Sequence, residues 1–266
     1  MEILVCVKLV SESHYTDFFQ EVSVDRLSSG RLVMNPVDEY TLELALRLRE
    51  SCPGSKVILL TLGPRSAAHM LETGLARGAD EAIHVCDPSF AGSDTLATSM
   101  ALASAIQAIP FQGVILCGQK SIDSETGHIG PQLSVQLGIP VVTGVLSFQA
   151  NGDSLQVEQM WEGNTVMLLC PKTVILTVCR GTQMVRRPTI SDLRTVGNKP
   201  VRVLTHRDLN LAPEVIGAAG SPTKVVRVEP IVHRKRSGTA FSDAEEGSIF
   251  LLQLLSKTEM RCPHAE

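Results

Sequence analysis

The chain predicts an α/β fold: a doubly wound, mostly parallel sheet that carries an antiparallel extension and a C-terminal arm. Three observations support this. Between residues 3 and 140, short apolar runs alternate with helix-periodic segments, joined by loops of about 2 to 6 residues, the spacing of right-handed parallel crossovers. From 141 to 178 the pattern changes to strand-like runs parted by turn residues. Beyond Asn210, proline and glycine accumulate and core-forming periodicity lapses until a last helical stretch.

Residues 3–7 are a short apolar run, the first buried strand, with Cys6 and Lys8 at its carboxyl edge. Residues 11–32 are polar, alternate weakly at Val22 and Val24 and contain Ser28, Ser29 and Gly30, which reads as a hairpin excursion. The clearest helix follows. Asn35 suits the N-cap, Pro36 the first helical position and Asp38 the acid of the first turn, while Val37, Thr41, Leu44 and Leu48 form one stripe. Glu43 and Arg47 add a favourable pair four residues apart.

Residues 56–62 make the second strand, ended by Gly63 and Pro64, with a helix to Arg77 and a stop at Gly78. Residues 79–86 are the third strand; His84 inside it reads as a packed core residue. Ser93 or Asp94 caps an alanine-rich helix that runs to Ile109. Residues 113–117 are the fourth strand. The loop behind it, 118–130, holds a single strongly apolar residue, Ile122, before Ile129. Pro131 restricts where a helix can begin, Leu133 and Leu137 continue its face, and Gly138 with Pro140 ends it. Such a loop offers backbone N–H groups and a helix dipole to an anion, usually a phosphate. It lacks the GxGxxG and GxxxxGK[ST] patterns, so from this stretch alone a phosphate site and an ordinary capped connection stand level.

After Val141, the runs 141–149, 155–161, 165–170 and 173–178 are parted by Asn151-Gly152, Glu162-Gly163-Asn164 and Pro171, and read as antiparallel additions. Trp161 among them reads as packing. Residues 240–257 form an amphipathic helix with Ile249, Leu252 and Leu255 on one face. The organisation is therefore an α/β domain over 1–204 and an arm with a helix over 205–266.

Composition narrows the function classes. A net charge of −4 and a pI near 6 give no electrostatic footprint for nucleic acid, and the basic cluster 233–236 is short. Seven cysteines are scattered without metal-ligand spacing, which fits reduced thiols. The first residues read as a strand, not a signal peptide, and no apolar run approaches about 18 residues. A cytoplasmic protein without direct membrane insertion is expected. No SGGxDS loop follows the first strand, no GxSxG elbow occurs, and no spacing suggests a metal or catalytic residue.

The segment CGQKSIDSETGHIGPQLSVQLGIP resembles the nucleotide-binding segment of electron-transfer flavoprotein β subunits, through Gly118, Gln119, Lys120, Ser121, Ile122, Asp123, Glu125, Thr126, Gly127, Ile129, Gly130 and Pro131. The Asn35-Pro36 helix start, the run LGPRSAAHMLETGLARGADEAIHV and, less specifically, GSPTKV are similar to the same family, with GSPTKV and TGHIGP leaning towards bacterial, nitrogen-fixation-type and electron-bifurcating branches. The resemblance implies a Rossmann-like, adenine-nucleotide-binding fold and a heterodimer that passes electrons. FAD would be held by or shared with the α subunit, and AMP or a second FAD would sit in the β subunit. The implied contacts are Cys6, Asn35, Asp38, Leu62, Gly118 to Asp123, Ser124, Glu125, Thr126, Gly127, His128 and Ile129. Arg186 and Ile190 match a loop that docks a flavin dehydrogenase of the acyl-CoA dehydrogenase type; of the lysine-rich run that follows in the family, only Lys199 survives. The arm is implied to pack on the α subunit. The alternative is a stand-alone adenine-nucleotide sensor module, which would need neither the Arg186 to Ile190 segment nor the arm.

Overall fold

A computed structural model describes residues 1–12, 31–181, 184–224, 226 and 240–257. In chain order the strands are β1 (Glu2–Cys6), β2 (Leu9–Ser11), β3 (Leu32–Met34), β4 (Lys56–Leu62), β5 (Glu81–Val85), β6 (Gly113–Gly118), β7 (Val141–Asn151), β8 (Ser154–Trp161), β9 (Asn164–Pro171), β10 (Ile175–Val178) and β11 (Val201–Leu204). The helices are α1 (Pro36–Ser51), α2 (Ala67–Ala76), α3 (Thr95–Gln107), α4 (Ile129–Leu137), α5 (Ile190–Thr195), α6 (Gly217–Gly220) and α7 (Ala244–Lys257). Nine strands form one sheet in the order β11-β5-β4-β1-β6-β10-β7-β8-β9. β2 and β3 pair antiparallel, as the hairpin reading of 11–32 requires at its ends; the interior, with Val22, Val24 and Ser28, lies outside the described residues.

The sheet is doubly wound because its strands are apolar on both faces. Ile3, Val5, Leu59 and Leu116 pack with Leu42, Leu46 and Leu71 on one side. Leu4, Leu60, Ile115 and Cys117 pack with Ala101, Leu102, Ile106 and Leu133 on the other. Two apolar layers on a parallel sheet need helices on both sides: α1 and α2 cover the first face, α3 and α4 the second. The chain passes from β1 outward to β4 and β5, then returns across them to β6, so the strand order reverses between β1 and β6. At that point the crevice above the carboxyl ends is open to a ligand.

The antiparallel reading of 141–178 needs one correction. β10 lies between β6 and β7 and is parallel to both, so within this sheet the antiparallel pairings are those of β7 with β8 and of β8 with β9. All four residues of β10 are buried, the continuous apolar signature of an interior parallel strand. Trp161 is also corrected. It stands at the hairpin tip with 55% of its surface exposed, and does not pack. His84 is buried as expected, its Nε2 at 3.1 Å from the carbonyl oxygens of Gly63 and Pro64.

The first compact unit runs from Met1 to Val228, past the boundary expected at 204. Leu209 and Ile216 explain the extension, because both are buried in the same core face as Leu204 and Ile83. The second unit is Glu229–Glu266. Its α7 carries Glu245, Glu246, Gln253 and Ser256 at helical spacing on one side, while Ile249, Phe250, Leu251, Leu252, Leu254 and Leu255 are all exposed; the rings of Phe241 and Phe250 lie 5.0 Å apart. The cluster 233–236 lies outside the described residues. Among the described residues no helix is long and apolar enough to cross a membrane.

Candidate nucleotide site

The loop between β6 and α4 is tied down from below by residues far away in sequence. Asn35 begins α1, and its main-chain carbonyl accepts from the N–H groups of Asp38 and Glu39, but its side chain makes no cap. Instead its Nδ2 donates to the Lys120 carbonyl at 3.2 Å, and its Oδ1 accepts from the Ile122 N–H at 3.3 Å. One side chain thereby fixes both edges of a single peptide turn. Lys8, just past β1, does the same with charge. Its Nζ lies 2.7 Å from Asp123 Oδ1 and 3.3 Å from Ser121 Oγ, and the Ser121 hydroxyl donates to the same carboxylate at 2.6 Å. The Asp123 side chain is only 4% exposed, so this ion pair holds the loop and is not presented to solvent.

Asp38 lies beneath. Its Oδ2 accepts from the Lys8 N–H at 2.8 Å, and its Oδ1 abuts the α-carbon of Gly118, where any side-chain carbon would collide with it. Gly118 is therefore required by the acid and not by backbone conformation. Burial pushes the Asp38 carboxyl up to about 7 and Asp123 adds to the rise, against the hydrogen bonds from Lys8 and Asn35 and the Lys8 charge. Cys6 and Cys117 are register partners on β1 and β6 below this point, and both are buried. Contact with Cys6, then burial, pushes the Cys117 thiol well above its ordinary value.

The expected site residues thus divide by role. Asn35, Asp38, Ser121 and Asp123 are supports. Gln119, Lys120, Thr126 and His128 are exposed on the loop, with Lys120 Nζ 3.1 Å from Glu125 Oε2. Glu125 at φ 51° and Gly127 at φ 67° turn the chain upward. Among the described residues, the backbone N–H groups of Thr126, Gly127 and His128 donate to no acceptor in the chain. They lie where α4 begins, and α1 and α3 also begin at the carboxyl end of the sheet, so several helix dipoles favour an anion there. Leu62 ends β4, half-buried against the second core face.

Three contributors escaped the sequence reading. Lys8 was placed only at the strand edge. Thr95 Oγ1, at the start of α3, lies 3.4 Å from His128 Nδ1. The segment 221–223 closes on the same helix end: the Asp94 N–H donates to Ser221 Oγ, and the Thr223 N–H donates to Asp94 Oδ2. A lysine directly after an apolar strand, with an aspartate in a loop of the adjacent strand, is the signal that could have paired Lys8 with Asp123.

The family model for the electron transfer flavoprotein domain matches residues 27–209. The chain belongs to the electron transfer flavoprotein family. An electron transfer flavoprotein subunit beta of Thermoanaerobacterium thermosaccharolyticum is 36% identical over 249 residues, 91% of this chain and 92% of the relative. The caffeyl-CoA reductase-Etf complex subunit CarD of Acetobacterium woodii is 32% identical over 233 residues, 85% and 87% of the two chains. Protein FixA of Azorhizobium caulinodans is 33% identical over 236 residues, 86% and 84%. The chain is thus a bacterial-type β subunit of a heterodimeric electron carrier.

In this β subunit Arg186 and Ile190 stand apart from the nucleotide loop. Arg186 Nε lies 2.8 Å from Glu43 Oε2 and its Nη1 2.5 Å from Glu50 Oε1, both on α1, while Arg47 also donates to Glu43 at 2.8 Å. Burial would raise the Glu43 carboxyl, but the arginine hydrogen bonds outweigh it and hold it at about 2. Next to this anchor, Thr189 and Asp192 cap each other reciprocally, and α5 presents Ile190, 71% exposed, and Leu193, 54% exposed. Lys199 is spent on structure: its Nζ donates to the carbonyls of Leu75 and Ala79 at the end of α2.

Proposed function

We propose that this β subunit holds the adenylate portion of AMP or of a second FAD in the loop after β6, while the α subunit holds the FAD of the heterodimer. The observation that supports this best is the set of unpaired backbone donors at Thr126, Gly127 and His128, set where α4 begins. The donor set fits a phosphate. Gln119, Lys120, Thr126 and His128 face outward to orient the ligand, and Cys6 and Leu62 line the side where the adenosine would lie. Bound flavin supplies the electron-transfer chemistry. The chain's own residues bind, orient and exclude water, which calls for no catalytic dyad.

On the same reading, α5 docks a flavin dehydrogenase of the acyl-CoA dehydrogenase type. Ile190 and Leu193 are its apolar anchors, and Arg186 positions the loop that carries them. The arm and α7 pack on the α subunit, which accounts for the exposed apolar side chains of α7. A cytoplasmic location suits free thiols at Cys6, Cys52, Cys86, Cys117, Cys170 and Cys179.

Gly127→Val tests the nucleotide site, because a β-branched residue at that positive φ is strained and projects towards the Gln119 carbonyl, 3.3 Å from the new carbon. Acid release followed by counting AMP and FAD per heterodimer is expected to show the β-site nucleotide lost and the α-subunit FAD retained. Full nucleotide stoichiometry in the variant would reject the reading.

A further inference from the structure

Successive side chains of a strand point to opposite faces, and on β1, β4, β5 and β11 this alternation buries Leu4, Ile58, Ile83 and Leu204 in the second core face. Two residues earlier on each of these strands the same face carries a charge: Glu2, Lys56, Glu81 and Arg202. The sign alternates from strand to strand. Register sets Glu2 beside Lys56, Ile58 beside Glu81 and Ile83 beside Arg202, so the row climbs diagonally and leaves Ile58 and Ile83 between its charges. α3 ends at Gln107, and Ile109 and Pro110 behind it close the side of a cavity of about 210 Å³ along this row.

The charges of the row are unequally engaged. Lys56 and Glu81 form an ion pair, and Glu2 Oε2 accepts from the Gln112 N–H at 3.0 Å. Arg202 makes no hydrogen bond among the described residues. Asp208 acts on it through charge alone, because the Asp208 Oδ2 already accepts from the N–H and the hydroxyl of Thr205. One exposed guanidinium thus stands at the mouth of a cavity floored by isoleucines. A planar fork of donors matches a carboxylate. A dianion such as phosphate would meet the carboxylates of Glu2 and Glu81, so a single negative charge suits the row best. Size limits the remainder of the ligand: a cavity of about 150 Å³ already admits benzene.

We propose that this cavity, at the amino ends of β1, β4, β5 and β11, binds a monocarboxylate whose apolar body is about the size of a benzene ring. The Arg202 guanidinium donates to the carboxylate, and the body rests on Ile58, Ile83 and Ile109. The helix end fixes this direction, since the partial negative charge at the C-terminus of α3 repels a carboxylate and tolerates a hydrocarbon. The six residue steps of β4 from Lys56 to Leu62 span about 20 Å, so the ligand lies at the far end of the sheet from the loop after β6. The site is therefore separate from the nucleotide and holds whichever nucleotide that loop takes.

The test uses the heterodimer with its cofactors and 4-fluorobenzoate as the probe, read by the width of its fluorine line. The wild type is expected to broaden the line, and unlabelled benzoate to sharpen it again. 4-Fluorobenzylamine, with the same ring and the opposite charge, is expected to stay sharp. R202Q should weaken binding about 10-fold or more, the loss that follows removal of a charge-assisted hydrogen bond. R202K should fall between, because an ammonium keeps the charge without the fork. Added AMP should leave the broadened line unchanged. A line that stays sharp with the wild type overturns the proposal, as does equal broadening by R202Q or of the amine. Release of the probe by AMP would assign it to the nucleotide loop and overturn the proposal as well, leaving the nucleotide reading intact.

Discussion

The first compact unit exposes apolar side chains in two settings that are built by opposite means. On α5, Ile190 and Leu193 ride on six residues that could not hold a helix unaided; a reciprocal cap and the Arg186 contacts to Glu43 and Glu50 fix them in place. On β9, Met167 and Leu169 ride on a strand that needs no anchor, because β8 already holds it through eight register pairs. The first arrangement invests charge in rigidity and offers little area. The second offers area and no charge. The same end, apolar surface held outward, is thus reached by a braced short helix in one place and by an extended strand pairing in the other.

If the two regions are independent, damage to α5 and its anchor leaves the heterodimer intact. Glu43→Ala should give the largest effect, since it strips the buried acceptor from both Arg186 and Arg47. We expect a loss of about 3 kcal/mol in urea unfolding, with dehydrogenase-coupled electron transfer falling while α-subunit affinity holds. A parallel fall in α-subunit affinity would break the comparison. The sign with pH follows from a carboxyl held at about 2: its contribution is complete above the ordinary value of 4.5 and is lost as pH falls from there towards 2. Ile190→Asp removes the knob but not its mounting. Electron transfer from the dehydrogenase should drop about 10-fold with an unchanged melting temperature and an intact heterodimer; undiminished transfer would reject docking at α5.

Asp38→Asn should have the smallest effect, and it sharpens the contrast between the docking faces and the nucleotide site. The native carboxyl keeps its proton up to about 7, whereas the unfolded chain releases it near 3.8, so between those values stability declines as pH rises. The amide, still able to accept from the Lys8 N–H, should flatten that slope and leave both docking affinities untouched. Nucleotide binding at pH 7 should also take up a proton in the wild type, because an anion above Asp38 raises its carboxyl further. Calorimetry in buffers of different ionisation enthalpy reads this directly, and equal uptake in the variant would exonerate Asp38.

The parallel core and the loop after β6 were legible in the sequence because apolar runs and glycines report local demands. The position of β10 was not, since ILTV reads equally as an added strand or an inserted one until its neighbours are known. Asn35 shows the limit most clearly. Its place ahead of Pro36 marked a helix start, yet its side chain serves a turn formed by residues 120 and 122. Arg186 likewise reads as part of a docking loop, yet its guanidinium is bonded to Glu43 and Glu50 of α1. Exposure of Trp161 was illegible for a different reason: an aromatic residue at the end of a strand-like run marks the strand, not whether anything packs over its tip.

The ties from Asn35 to Lys120 and from Lys8 to Asp123 span 85 and 115 residues. During synthesis on a ribosome, therefore, everything up to α3 can emerge without the loop that these two side chains brace. Only when the fourth long strand of the sheet has slotted in beside the first does the cradle exist. Cofactor loading should accordingly be a late event in the life of the polypeptide, and a truncated product released early would come off the ribosome unable to capture its ligand.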